Sequence, residues 1–451
     1  MRVRLMVAAM AMAVPMGAAA APDDSAAPAA VLYRHATLID GTGGPAAADM
    51  TVVTRGERID AVMPDAKVTP ALLKGARVVD LKGRYLLPGL IDSHQHIATP
   101  PNRRRAEALM RRDLYSGITA TRIMADDLRS VAEIARAAVV GEIASPDLYY
   151  AALFAGPSFF DDPRTLAVSA GIKPGTGAWM QAIDDKTDLP LAVARAKGTG
   201  ATAIKIYANL PADLIAKITA EAHRQGMQVW AHGMVFPTPP AEVIAAGPDV
   251  VSHSCYLAYQ AVAKRPATYQ QRVVIDPAPF IARNNPVMGG LFATMKARGM
   301  LLDATLRVYQ EGEKRAKAGG PPPYCSLDLA AALTAQAHEA GVEISAGTDG
   351  DTPAGAPYPG LFDEVELLVG KAGFTPAEAI RAATLTGAKT MGEEATQGTI
   401  AAGKLANMVV LARDPLADIA NMRSVVMTVK RGRDYQRGAF KPVTAEELGR
   451  D

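Results

Sequence analysis

Between residues 88 and 392, short apolar runs alternate with amphipathic stretches. The strand-like runs fall at 86–94, 118–124, 148–155, 203–207, 228–231, 250–252, 300–305 and 342–347. Helical periodicity lies between them, for example at 104–115, 128–140, 212–225, 326–340 and 361–372. Eight such alternations predict a (β/α)8 barrel, an α/β fold in which parallel strands are each covered by a helix. An open doubly wound sheet is the competitor, but no Gly-x-Gly-x-x-Gly turn follows any of the strands. Long segments at 156–187, 254–278 and 306–325 follow predicted strands and are rich in Pro, Gly and Tyr. In a barrel they fall on the active-site face and form the pocket and its lid.

Outside the barrel the pattern changes. Short β-like runs such as Val31-Leu32-Tyr33, Thr37-Leu38-Ile39 and Arg77-Val78-Val79-Asp80 are separated by turns such as Asp40-Gly41-Thr42-Gly43-Gly44. They read as an incomplete antiparallel unit. Similar runs return near Gly398, Asn407 and Ser424. Residues 31–87 and 393–440 are therefore expected to join into one small β-sandwich domain around the barrel domain, 88–392. Residues 1–21 read as a signal peptide. Arg2 and Arg4 precede an apolar run, and Gly17-Ala18-Ala19-Ala20-Ala21 supplies small residues for cleavage. The run is too short to span a bilayer. The mature protein is expected to be exported, periplasmic or secreted, with no membrane insertion after cleavage.

With 49% hydrophobic and 21% charged residues the chain is globular rather than disordered. A net charge of +2 without a long basic stripe argues against nucleic acid as a partner. The cluster Arg103-Arg104-Arg105 with Arg111-Arg112 reads as the solvated face of the first helix. Cys255 and Cys325, the only cysteines, are far apart in sequence and are read as unpaired thiols. His35, His223 and His338 are read as structural, the last two because they fall in final helical turns.

The chemistry lies at the carboxyl ends of the strands. His94 and His96 are two residues apart and project from one strand face. The fourth strand carries Lys205, the fifth ends at His232, the sixth leads to His253 and the eighth to Asp349. Imidazole and carboxylate suit zinc and similar ions. Lys205 stands between Ile204 and Ile206, where a charged amine is costly unless paired. One reading buries it against a carboxylate. In the other, desolvation yields a free amine that takes up carbon dioxide as a carbamate, an anionic oxygen ligand able to bridge two metal ions.

The ordered set Pro88-Gly89-Leu90-Ile91-Asp92-Ser93-His94-Gln95-His96, Lys205, His232, His253 and Gly347-Thr348-Asp349 resembles the amidohydrolase superfamily. So do the stretches 375–392 and 398–411, which are similar to that family's closing helices and returning strands. Within the family the chain looks most like the imidazolonepropionase-like and prolidase-like branch. The resemblance implies two divalent ions, zinc by implication. One would be held by His94, His96, Lys205 and Asp349, the other by His232, His253 and the same carboxylated Lys205. Two positions depart from the common pattern. Ser252 precedes His253 where an acid is frequent, and Thr121-Arg122-Ile123-Met124 stands where many relatives place an Arg-Asp pair.

The expected activity is hydrolysis of an amide bond in a small molecule such as a dipeptide or N-acyl amino acid, by metal-activated hydroxide. Asp349 would shuttle the proton from the attacking water to the leaving amine, with Lys205 as bridge. Tyr207, Tyr256 and Tyr259 follow the fourth and sixth strands and are candidates for substrate contact. Three alternatives stay open: a single-metal cyclic-amide hydrolase or deaminase, a lactonase or phosphotriesterase on the same site, and a non-catalytic binding protein. The single-metal reading requires an acid near His232, and Glu242 is the first one after it. Oligomeric state is open, with a homo-oligomer among the options.

Overall fold

The computed structural model describes residues 29–350 and 352–449. The leader read at residues 1–21 lies outside them. Eight parallel strands form the barrel: Leu90–Gln95, Ile118–Met124, Asp147–Ala155, Ala203–Ile206, Gln228–His232, Val250–Ser252, Leu301–Asp303 and Ile344–Ser345. Consecutive strands pair in parallel register, as in Lys205 opposite Trp230 and His232 opposite Ser252. The first and eighth strands meet where Ser93 N–H donates to the Ala346 carbonyl at 2.9 Å. Helices cover the outside. Their starts are set by side-chain caps: Asn102 accepts from the Arg105 amide, Asp127 from Arg129 and Ser326 from Leu329.

The run read as one strand at 86–94 is in fact two. Tyr85–Pro88 belongs to the second sheet and Leu90–Gln95 to the barrel. Gly89 makes the transition because a side chain there would collide with Thr119. Tyr85–Pro88 is also the seam between the two ends of the chain. It pairs in parallel with Ala30–Leu38 and antiparallel with Met408–Leu411. The resulting eight-stranded sheet buries Tyr33, Val52, Leu86, Met408 and Val410 in its own core. The amino-terminal unit is mixed rather than antiparallel, since Arg77–Asp80 also runs parallel to Ala30–Leu38. Turn residues mark where a strand ends but not the direction in which the next one returns.

Segment 306–325 differs from its reading as a long loop. It begins with the helix Leu306–Lys317, in which Leu306, Arg307 and Tyr309 are buried. Only the Gly- and Pro-rich tail is irregular. Within 156–187, Met180–Ala182 adds alongside the third barrel strand, and Thr176–Gly177 pairs with it as a short hairpin. No helix among the described residues is long and apolar enough to cross a membrane.

The two cysteines are not free. Cys255 and Cys325 form a disulfide across 70 residues, with their Cα atoms 6.3 Å apart. Sequence distance misleads here because Ser254–Leu257 follows the sixth strand and Cys325 precedes the helix Leu327–Glu339, and those two helices pack against each other. Closing a loop of this length in the unfolded chain is worth about 2–4 kcal/mol. The double variant Cys255→Ser/Cys325→Ser is therefore expected to lose stability of that order in urea unfolding. An unchanged urea midpoint would show that the bridge carries no stability.

Candidate active site

Three of the other five strand-end residues gather around Asp349. Its carboxylate lies 3.8 Å from His94 Nε2, 3.7 Å from His96 Nε2 and 3.6 Å from His253 Nδ1. Two ligands each about 2.1 Å from one tetrahedral ion stand about 3.4 Å apart, so the His94 and His96 spacings suit a cation shared with Asp349. Candidate ligand atoms of His94, His253 and Asp349 all fall within 4.8 Å of one another. His232 stacks beside the group, with its ring 4.9 Å from that of His253. Its Nδ1 is buried and makes no hydrogen bond, an arrangement that costs free energy unless a ligand accepts the lone pair. Lys205 lies below, fully buried; among the described residues it makes one hydrogen bond, to Ser252 Oγ at 3.2 Å, and no ion pair.

A second layer aims the imidazoles. Nδ1 of His94 donates to Asp303 at 2.7 Å and Nδ1 of His96 to Asp126 at 2.9 Å, which leaves each Nε2 turned toward Asp349. Nδ1 of His253 hydrogen-bonds Thr305 Oγ1 at 2.9 Å. Pairing of one ring nitrogen with an oxygen group fixes tautomer and orientation in metal sites. Asp126 also accepts the amides of Ile97 and Ala98, so one carboxylate shapes the whole turn after the His-x-His. Asp303 is the hub: the same oxygen accepts from His94, from Arg122 at 3.0 Å and from Ser252 at 3.0 Å. Arg122 is in turn stacked 4.5 Å from the Trp230 ring inside the barrel. Gly347 is required beside this hub because a Cβ would strike both Asp303 and His94. Asp92 ties the first strand to the eighth, accepting from the His94 amide and from both the amide and hydroxyl of Thr348.

The electrostatics follow from burial. Desolvation, with the nearby Arg122 charge, pulls the Lys205 amine down to about 7. Desolvation holds His94 and His232 well below the usual imidazole range and brings His253 down to about 4, so all three are neutral at pH 7 and free to ligate. For Asp349 burial opposes ionisation, but the facing imidazoles outweigh it and hold the carboxyl below its ordinary value. His253, Thr305 and Asp349 all have positive φ, at 74°, 52° and 38°. Backbone strain of this kind persists only where surrounding contacts enforce it, commonly at functional sites.

These residues floor a cavity of about 880 Å³ on the carboxyl-terminal face. Tyr207 and Tyr256 line it. Tyr259 does not: its hydroxyl donates to the Val273 carbonyl at 2.8 Å, so its candidacy as a substrate contact is withdrawn. Tyr256, on the helix Ser254–Leu257, turns to the cavity, and Tyr259, in the 3-10 turn Ala258–Gln260 that follows, packs behind it. Glu242 is exposed on the helix Pro240–Ala245 and does not reach the cavity. His223 pairs with Asp249, His338 stacks on Phe374, and His35 faces Asp49 in the other sheet, all away from the site. Several residues escaped the reading of the sequence. Asp303 carried a usable signal, since Leu301-Leu302-Asp303 repeats the pattern of an apolar strand ending in a ligand-type residue. Asp126, Thr305, Tyr269, Arg272 and Tyr324 lie in turns and loops without periodicity and carried none.

The amidohydrolase family model matches residues 85–434. The imidazolonepropionase of Symbiobacterium thermophilum is 24% identical over 403 residues, 85% of this chain and 89% of that protein. A shorter match, 41% over 70 residues, relates the chain to the adenine deaminase of Rubrobacter xylanophilus and spans 16% of this chain and 11% of that protein. The ochratoxinase of A. niger has the same fold, with a TM-score of 0.70 at 21% identity over 90% of this chain and 96% of that one. So does a Xaa-Pro dipeptidase solved with methionine in its active site, with a TM-score of 0.69 at 20% identity over 90% of this chain and 100% of that one. The family match runs from the seam strand before the His-x-His to the last strand of the second sheet, and on it the chain belongs to the amidohydrolase family, a hydrolase acting on carbon–nitrogen bonds.

Proposed function

We propose that this chain is an exported, metal-dependent amidohydrolase that cleaves the amide bond of a small molecule such as an N-acyl amino acid or a dipeptide, at a binuclear site bridged by carboxylated Lys205. The observation that carries the reading is the state of Lys205, fully buried beside neutral imidazoles and without a carboxylate partner among the described residues. An isolated ammonium in such a place would cost several kcal/mol, so the free amine is well populated at neutral pH. Its nitrogen lone pair can attack carbon dioxide, forming an N–C bond and releasing one proton, to leave a carbamate anion. His94, His96, Asp349 and the carbamate would hold one divalent ion, and His232, His253 and the carbamate a second. Bound there, such ions polarise a substrate carbonyl and lower the pKa of water.

The chain's own groups supply the rest. Asp349, an anion among imidazoles, takes a proton from the attacking water and returns it to the departing amine nitrogen as the C–N bond breaks. The Tyr207 ring packs 4.1 Å from that of His232, and its hydroxyl would steady the substrate's carbonyl oxygen. The names of the relatives, a dipeptidase, an ochratoxinase and an imidazolonepropionase, support an amide as the class of bond. The position of Glu242 weighs against the single-metal deaminase, which needs an acid beside His232. Export is supported by the leader-like residues 1–21 and by the disulfide, since such bridges persist in oxidising compartments.

The test is reconstitution. Metal-free protein is given zinc at a fixed concentration of dissolved carbon dioxide, and metal content and turnover of a panel of N-acyl amino acids and dipeptides are followed. Only the free amine reacts with carbon dioxide. With the Lys205 pKa pulled down to about 7, half of it is free at that pH, against roughly one in 2,500 for an ordinary lysine. The rate of recovery is expected to climb about tenfold per pH unit below 7 and flatten above it. Recovery that needs no carbon dioxide would rule out the carbamate, and a rate that keeps climbing toward pH 10 would show that Lys205 is an ordinary amine.

A further inference from the structure

One cation in the cavity wall has no use in the scheme above. Arg272 lies on the long segment after the sixth strand, partly buried and clasped by three tyrosines. Its guanidinium stands 4.1 Å from the Tyr269 ring centre and 5.0 Å from that of Tyr324. Its Nη1 donates to the Tyr256 hydroxyl at 2.9 Å and its Nε to the Tyr269 carbonyl at 3.1 Å. Among the described residues no carboxylate pairs with it. The other arginine near these rings, Arg164, is already held by both oxygens of Asp162, at 2.7 and 3.0 Å.

The clasp is built rigidly. Tyr256 follows Cys255 and Tyr324 precedes Cys325, so the disulfide fixes the two flanking rings, which stack 5.5 Å apart at 15°. Tyr269 lies 6.0 Å from the His232 ring and nearly parallel to it, which leaves a single aromatic ring between the guanidinium and the histidine cluster. Arginine has five N–H donors in a planar fork, and the protein engages two nitrogens of it here. A guanidinium held on aromatic faces, stripped of part of its water and lacking a counter-ion, is matched to a planar anion arriving from the cavity. Leu153, Phe159, Val168 and Met180 line the same cavity and offer it an apolar surface.

Resting on the hydrolase reading, we propose that Arg272 in its tyrosine clasp is a carboxylate-binding subsite that makes the enzyme select amides bearing a free carboxylate over neutral amides. Such a substrate would bind its carboxylate to Arg272, its apolar group to the facing wall and its scissile carbonyl over the histidines.

The experiment compares N-acetyl-L-amino acids with their carboxamide-capped counterparts on wild type, Arg272→Gln and Arg272→Lys. Turnover is measured on the zinc-loaded enzyme and binding by calorimetry in an Asp349→Asn background. A charge-assisted contact of this kind is worth about 10- to 100-fold in affinity. Wild type is expected to prefer the free carboxylate by that factor. Arg272→Gln should lose it through KM, with kcat nearly unchanged and the capped substrates unaffected, and Arg272→Lys should recover part of it. An equal loss on free and capped substrates, or equal binding of both by wild type, would overturn the subsite. Carboxylate-dependent binding that vanishes in Arg272→Gln, without turnover of any amide by wild type, would uphold the subsite and sink the hydrolytic reading instead.

Discussion

Asp349→Asn is expected to lower kcat by about 10²- to 10⁴-fold, the range a positioned acid–base group supplies, while most of the bound metal stays. The substitution keeps the size of the side chain and one of its oxygens, so a ligand remains. It removes the carboxylate that takes up a proton during turnover. The backbone tolerates the change, because asparagine accepts the positive φ of 38° that Asp349 adopts. The Asp349 amide still donates to the His94 carbonyl at 2.9 Å, so the turn is not disturbed. Activity near that of wild type in a metal-replete variant would remove Asp349 from the proton path. Joint loss of metal and activity would make it a ligand and nothing more.

On the binuclear reading, Lys205→Ala should reduce the metal content from about two ions per chain to below one and abolish turnover, because the proposed bridging carbamate is lost. The structure suggests how to separate this from a packing effect. Lys205 is fully buried between the third and fifth strands, so alanine leaves a cavity and costs stability by itself. Lys205→Met preserves the volume and should lose metal just as severely. Added acetate or propionate can enter the alanine cavity and restore a bridging carboxylate, so partial recovery is expected in Lys205→Ala and none in Lys205→Met. Metal analysis of purified protein supplied with bicarbonate measures all three. About one ion per chain, unchanged in both variants, would favour the single-metal alternative, and no metal in wild type would favour a non-catalytic role.

Both expectations depend on a layer of residues beneath the ligands. Asp303 orients His94 and shares its oxygen with Arg122 and Ser252, and Ser252 in turn accepts from Lys205. The two departures from the usual family pattern, Ser252 and the Arg122 stretch, thus meet at one carboxylate. An acid at position 252 would set a second negative charge against Asp303 in a buried place, and serine avoids that cost while still bonding both neighbours.

The barrel was legible in the chain because strand and helix periods are local. An apolar strand of period two that ends in a polar residue announces both its buried body and its functional tip, which is why His94, His96, Lys205, His232, His253 and Asp349 stood out. The join of the two chain ends was legible for the same reason, since the β-like runs at 31–87 and 393–440 needed partners. Tertiary structure alone decided what spans long separations. The His94–Asp303 bond joins residues 209 positions apart, and the Cys255–Cys325 bridge closes 70. It also decided which of Tyr256 and Tyr259 faces the cavity, and it gathered Arg272 with Tyr256, Tyr269 and Tyr324. Those residues sit in turns and loops, where backbone direction is set by packing against distant elements rather than by any repeating pattern of their own side chains.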